Sequence, residues 1–221
     1  MTTIAEQVAV VAQNAAQRLP PEVLATFGAD LVALDAAGIP TGVLTEGSPM
    51  PDGPVLDVEG ATTTLSAVRG DRPAVLVFYR GAWCPYCNLT LKAYQEQVVP
   101  VLEAQGVQLI ALSPQAPDGS LSMQEKNDLT FTVVSDPANA IAGQLGIVVM
   151  PGAQTLAAQE KIGLDAAAGN ADGTAAIPMP TVVVIDAAGI VRWIDVHPNY
   201  TTRTEPAAVL AVVEARLDGP S

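Results

Sequence analysis

The sequence predicts an α/β layered fold carrying an N-terminal helical extension. Three observations support this. Apolar runs alternate with helix-like stretches from Pro73 onward, those runs are continuous as in strands buried on both faces, and residues 3–38 keep helical spacing throughout. At 221 residues a single domain with extensions is expected, and 49% hydrophobic residues with a mean hydropathy of +0.32 can fill a sizeable core. The expected division is a helical extension over 1–41 and an α/β domain over 42–221 with an insertion at about 148–179.

Taken in order, Ile4, Val8, Val11 and Ala15 recur at helical spacing, Pro20-Pro21 interrupts, and a second helix runs from Glu22 to Ala37 before Gly38 and Pro40 stop it. This hairpin is expected to pack on, or exchange with, a neighbour, and its apolar stripe over residues 4–15 points to a partner surface such as that of a homodimer. The Gly- and Pro-rich stretch 42–60 reads as an entry loop with short strands around Val55–Val58. AVLVFY (74–79) is a strand, and a helix opens at CPYC and runs to about Gln105, with Pro100 kinking it or ending it early. Strand 107–112, helix 120–128, strand 131–134 and helix 137–145 follow. Strands 181–185 and 191–196, joined by a turn at Asp186–Gly189, make an antiparallel hairpin before a closing helix at 205–217. The Ala/Gly-rich connection between Val148 and Met179 is either a flexible insertion or a lid or dimer element.

Charge narrows the partners. Ten Lys and Arg against 23 Asp and Glu leave a net charge of −13, which repels nucleic-acid backbones and anionic lipid surfaces, so neither is expected as a partner. No apolar run approaches the roughly 18 residues of a membrane span, and Glu6 sits where a signal peptide carries Lys or Arg, so a cytoplasmic location is expected. The only two cysteines, Cys84 and Cys87, are too close in sequence to act as a structural staple.

Their position suggests chemistry instead. They follow a central strand and open a helix, where free amides and the helix dipole stabilise an anion and should lower the pKa of the first thiol. Cys84 is therefore the expected nucleophile. Pro85 suits the first helical turn, and Cys87, about one turn on, can resolve a disulfide or sulfenic acid formed on Cys84.

WCPYC resembles the WCxxC site of the thioredoxin superfamily. VQLIALSPQ, FTVVSDPANAIAGQLGI and PTVVVIDAAGIVRWIDV then resemble, in order, the pattern of the peroxiredoxin (AhpC/TSA) family over about residues 47–217. The resemblance implies a thioredoxin-like fold with a peroxiredoxin-type mixed central sheet flanked by helices. It also implies a redox enzyme that reduces hydroperoxides through a Cys84 thiolate and a Cys84–Cys87 disulfide, re-reduced by thioredoxin or a small thiol. Counted from Cys84, the family's Pro and Thr positions fall on Val77 and Gly81, and its Arg falls on Pro180, which leaves Arg80 as the nearest substitute cation. Met179-Pro180-Thr181 instead resembles the cis-Pro loop of thioredoxins, which faces the dithiol and binds an extended substrate.

Two alternatives therefore stand beside the peroxidase: a disulfide oxidoreductase of thioredoxin or glutaredoxin type, and an iron–sulfur or metal-binding module. No cofactor and no metal are expected, because His197, the single histidine, completes no four-ligand set with the two cysteines and reads as a surface residue. Trp83 and Tyr86 can contact substrate beside Cys84, as can Pro85, Pro180, Thr181 and Arg80. Lys92 reads as an exposed helix lysine.

Overall fold

A computed structural model describes residues 2–217, so residues 218–221 of the expected domain lie outside it. Seven strands form the main sheet: β1 (Pro54–Leu56), β2 (Thr62–Thr64), β3 (Ala74–Phe78), β4 (Gln108–Ser113), β5 (Thr132–Ser135), β8 (Thr181–Ile185) and β9 (Val191–Val196). Their order is β2-β1-β5-β4-β3-β8-β9, and β6 (Val148–Val149) pairs separately with β7 (Ile177–Pro178). β4 lies parallel to β3 and β5, whereas β8 is antiparallel to both β3 and β9. The sheet is therefore mixed, with β4 at the middle of the order and β3 beside it.

Burial on both faces explains the continuous apolar run of β3. Val75 and Val77 join a core with Leu91 and Tyr94 of α4 (Pro85–Gln97), Leu102 of α5 (Val99–Ala104) and Val209 and Val213 of α10 (Pro206–Leu217). Leu76 and Phe78 face the opposite core, with Leu65 of α3 (Leu65–Arg69) and Ile141 of α7 (Ala140–Gln144). A strand with one wet face would alternate; this one cannot. The helix following CPYC breaks at Val98, earlier than Pro100 itself, because a proline is tolerated in a first turn but not inside a helix, so α5 restarts with Pro100 in its first turn. Asp136 of the SDP motif accepts the Ile141 and Ala142 amides, both at 3.0 Å, and so caps α7.

The N-terminal hairpin, α1 (Ile4–Arg18) and α2 (Pro21–Ala37), packs on its own domain. Thr3 and Glu6 make a reciprocal capping box at the start of α1. Glu205, just before α10, adds a second cap: its carboxylate accepts the Ile4 and Ala5 amides, each at 2.9 Å. Ile4 is buried in the first core, α1 lies against α4, and Asn199 donates to the Asp35 carboxylate of α2 at 3.0 Å. The 148–179 insertion is closed at its base by the β6–β7 pair and contains α8 (Ala153–Lys161) and α9 (Ala166–Gly169), with α8 packed against α2. Ala and Gly gave this segment no strong periodicity, which is why its helices were not apparent from sequence. α6 (Pro117–Lys126) completes the helical layers.

Candidate active site

The loop that carries the dithiol is fixed before the helix begins. Gly81 adopts φ +147°, and an added Cβ would lie 2.5 Å from Trp83 Nε1, so no side chain fits there. Gln115, from the loop after β4, accepts the Ala82 amide at 2.5 Å. Asn88 of α4 donates to the Ala82 and Cys84 carbonyls, both at 2.8 Å, and is itself held by Asn127 at 2.9 Å. Cys84 takes the N-cap position of α4, and the Cys87 and Asn88 amides both donate to its carbonyl at 3.1 Å. Asn88 and Asn127 carry no sequence signal, and Gln115, the last residue of VQLIALSPQ, carries none for this role, since each acts through tertiary placement.

The two sulfurs are reduced and each is 1% exposed, but they differ in electrostatics. Burial pushes the Cys87 thiol up. The Cys84 S–H, the Arg203 guanidinium and the Arg80 backbone N–H more than offset this, bringing it down to about 5. Arg203 Nη2 lies 3.5 Å from Cys87 Sγ. Burial likewise pushes Cys84 up, and its hydrogen bond to Cys87 and the charge held there push it higher, well above 9. The helix start was expected to lower the Cys84 pKa. It does not: burial and the neighbouring Cys87 push the thiol up, and the Cys84 side chain accepts no helix amide to offset them. The two thiols titrate as a pair, and the Arg203 guanidinium beside Cys87 Sγ favours the anion on Cys87.

Arg203 sits beneath Cys87 on the turn between β9 and α10. Its Nη1 donates to the Tyr200 carbonyl, and to the Thr202 carbonyl at 2.6 Å. The flanking threonines are pinned in turn: Thr202 Oγ1 lies 2.8 Å from His197 Nδ1, Thr204 Oγ1 donates to Asp195 at 2.7 Å, and Tyr94 donates to the Thr204 carbonyl at 2.8 Å. His197 Nε2 is 3.0 Å from Asp195, and that bond holds the Asp195 carboxyl below its usual range. His197 was expected on the surface. Its side chain is only 18% exposed and belongs to the network that fixes Arg203. Nothing in the motif order marked Arg203, and Asp195, although inside PTVVVIDAAGIVRWIDV, was not singled out by it.

Above the pair the surroundings are apolar. A cleft of about 320 Å³ opens on Cys84 between α1, α2, α8 and the CPYC segment, with Arg80, Trp83, Pro85, Tyr86 and Tyr200 on its floor. Arg80 is 6% exposed, lies 4.9 Å from the Trp83 ring centroid and 4.0 Å from that of Tyr200, and its Nε has no hydrogen-bond partner. Among the described residues it makes no ion pair. Tyr86 and Tyr200 are neighbours, with ring centroids 6.4 Å apart. Pro180 and Thr181 instead reach the rear of Cys87, where they line a cavity of about 10 Å³ with Arg203. The Met179–Pro180 bond is trans, contrary to the cis-Pro resemblance. Here the chain runs straight from β7 into β8, with the Met179 amide bonded to Ile147 and the Pro180 carbonyl accepting from His197. Lys92 is exposed and far from any role in this network. Among the described residues no three His, Cys, Asp or Glu side chains come together as a metal site.

Sheet order, dithiol position and helix packing define a thioredoxin-fold thiol protein. The AhpC/TSA family model matches residues 47–194, and the chain belongs to that family. Peroxiredoxin Q, chloroplastic, from Triticum aestivum is 28% identical over 65% of this chain and 68% of its own length. A thioredoxin-like protein from Haemophilus influenzae is 30% identical over 43% of this chain and 54% of its own. The chain thus spans only about half to two thirds of these relatives. Among solved structures, reduced Prx3 from Vibrio vulnificus in complex with H2O2 aligns with a TM-score of 0.63 at 16% identity, over 78% of this chain and 100% of that one. Peroxidoxin BcpB from Mycobacterium tuberculosis aligns at 0.59 and 18% identity, over 78% and 97%. These likenesses describe the fold, which extends through the mixed sheet and its flanking helices. The match region excludes the hairpin of residues 4–37 that roofs the dithiol.

Proposed function

We propose that the protein is a thiol peroxidase in which Cys84 attacks the hydroperoxide and Cys87 serves first as its base and then as the resolving thiol. The observation that supports this is the difference in space around the two sulfurs. A cavity needs roughly 10–15 Å³ to admit one water, so the space of about 10 Å³ behind Cys87 admits no peroxide, whereas the cleft of about 320 Å³ opens on Cys84. The Cys87 thiolate takes the Cys84 proton as Cys84 sulfur attacks the terminal peroxide oxygen; the S–O bond forms and the O–O bond breaks. The leaving alkoxide or hydroxide recovers that proton. Cys87 thiolate then attacks the sulfenic sulfur, expels hydroxide and leaves the Cys84–Cys87 disulfide. Thioredoxin or a small thiol supplies the two electrons that reopen it, which suits a reducing cytoplasm.

A second reading rests on the charge distribution. Arg203 favours the anion on Cys87, and the family spacing counted from Cys87 instead of Cys84 puts Cys84 and Arg80 at the Thr and Pro positions, which would make Cys87 the attacking sulfur. The CPYC pair also suits disulfide exchange. With this function go an accessory role for residues 1–41, a catalytic domain at 42–221, and a homodimer through the hairpin's exposed Val10 and Val32. Stopped-flow tryptophan fluorescence of the reduced protein against H2O2, cumene hydroperoxide and oxidised thioredoxin tests the reading. Oxidation by a hydroperoxide much faster than that of a free thiol supports it. Rapid exchange with thioredoxin alone would assign disulfide chemistry instead.

A further inference from the structure

We infer that the α1–α2 hairpin is a selectivity element that makes the site one for hydroperoxides with a bulky, uncharged, apolar carbon body. This rests on the peroxidase reading above. The hairpin lies outside the matched family segment, yet it supplies the wall of the cleft over Cys84 with Val11, Ala15, Leu24, Phe27 and Leu31, and Ile162 and Leu164 close the far side. At about 320 Å³ the cleft falls at the small end of ligand sites, large enough for an aryl or short alkyl hydroperoxide. Among the described residues Arg80 is the only charged side chain lining it, and it sits at the floor beside Cys84.

Those two facts orient the occupant. A buried guanidinium with no ion partner and an unpaired Nε favours the group on which negative charge develops, which is the alkoxide oxygen released as the O–O bond breaks. The peroxide end therefore lies between Cys84 and Arg80 and the carbon body fills the hairpin side. A second charge on the substrate would be buried among apolar side chains without a partner, which disfavours anionic hydroperoxides. Hydrogen peroxide meets the same sulfur but gains nothing from the wall.

Gly28 provides the test. It lines the cleft from α2, and an added Cβ meets nothing within 4 Å, so Gly28→Leu fills the space while improving helix propensity. Ala15→Leu fills it from α1. The wild-type rate constant for cumene hydroperoxide should exceed that for H2O2 by about tenfold or more, and either variant should lower that ratio by a similar factor, the discrimination a filled apolar pocket gives. Cumyl alcohol, the unreactive product, should quench Trp83 fluorescence in the wild type, and this quenching should be weakened in both variants. An unchanged ratio in both variants, or cumyl alcohol binding that they leave intact, would overturn the inference. If cumyl alcohol binds but no hydroperoxide reacts, the peroxidase reading falls and the hydroperoxide selectivity with it, leaving an apolar ligand site. If H2O2 and cumene hydroperoxide react equally fast and cumyl alcohol does not bind, only the selectivity falls.

Discussion

The two sides of the dithiol are built from opposite materials. Above Cys84 lie the apolar wall of the N-terminal hairpin and a cleft of about 320 Å³; beneath Cys87 lie Arg203, the Asp195–His197 pair and a cavity of about 10 Å³. One side offers a roomy apolar cleft with Arg80 as its charged group, and the other offers Arg203 in contact with sulfur but almost no space. A thiolate in direct contact with an arginine is held in its ionised state, whereas burial against apolar side chains favours the protonated thiol. In the proposed peroxidase mechanism the two tasks lie one helical turn apart, and a single shared proton couples them.

The largest expected effect comes from removing either end of that coupling. Cys84→Ser should abolish turnover. Cys87→Ser removes the base, so the first oxidation should slow by about 10²–10⁴-fold, and the sulfenic acid that does form on Cys84 should persist. Single-turnover stopped-flow with mass spectrometry of the product checks both.

Next comes the polar side. In the wild type, oxidation should rise with pH as the pair loses its first proton, near the value of about 5 to which Cys87 is lowered, and then stay level through neutrality. The sign follows from the depressed pKa: the reactive mono-anion is present above it and lost below. Arg203→Met removes the guanidinium 3.5 Å from Cys87 Sγ, so the midpoint should move up by about 1–3 units and the rate at pH 6 should fall accordingly. Thiolate absorbance near 240 nm reads the midpoint directly.

Smaller effects should follow from the residues that hold Arg203. His197→Gln keeps a polar side chain but loses the bridge between Asp195 and Thr202, and the thiolate midpoint should rise by less than in Arg203→Met. His197→Asn and Asp195→Asn should follow the same direction. A merely structural role would lower the unfolding midpoint without moving the thiolate titration.

The smallest effect concerns the roof. Glu205→Gln weakens the cap on the Ile4 and Ala5 amides and should cost about 1 kcal/mol in urea unfolding, the usual value of a helix cap. If the hairpin is a selectivity element, the same variant should also lessen the preference for cumene hydroperoxide.

Much of the fold could be read from the sequence because its signals are local. The run Ala74–Phe78, the proline pair at Pro20-Pro21 and the helices over 4–18 and 21–37 follow from periodicity and from where proline is tolerated. α8 and α9 were missed because alanine and glycine satisfy a helix and a loop equally well at the level of pattern. The dithiol was readable as a pair, but the distribution of its charge was not. That depends on Arg203, 116 positions from Cys87, and on burial that turns the helix N-terminus from a stabiliser of Cys84 into a low-dielectric site. His197 misled for the same reason: a lone histidine after a strand gives no hint that Thr202, Thr204 and Asp195 fold around it.

The central claim is that access, more than resting charge, decides which sulfur is oxidised first. Single-cysteine variants settle this directly: Cys87→Ser and Cys84→Ser, each reduced, treated with one equivalent of cumene hydroperoxide in the presence of dimedone and analysed by intact mass. The account predicts the sulfenic-acid adduct on Cys84 in Cys87→Ser and none in Cys84→Ser. An adduct on Cys87 in Cys84→Ser, formed at the wild-type rate, would contradict it and make Cys87 the attacking sulfur.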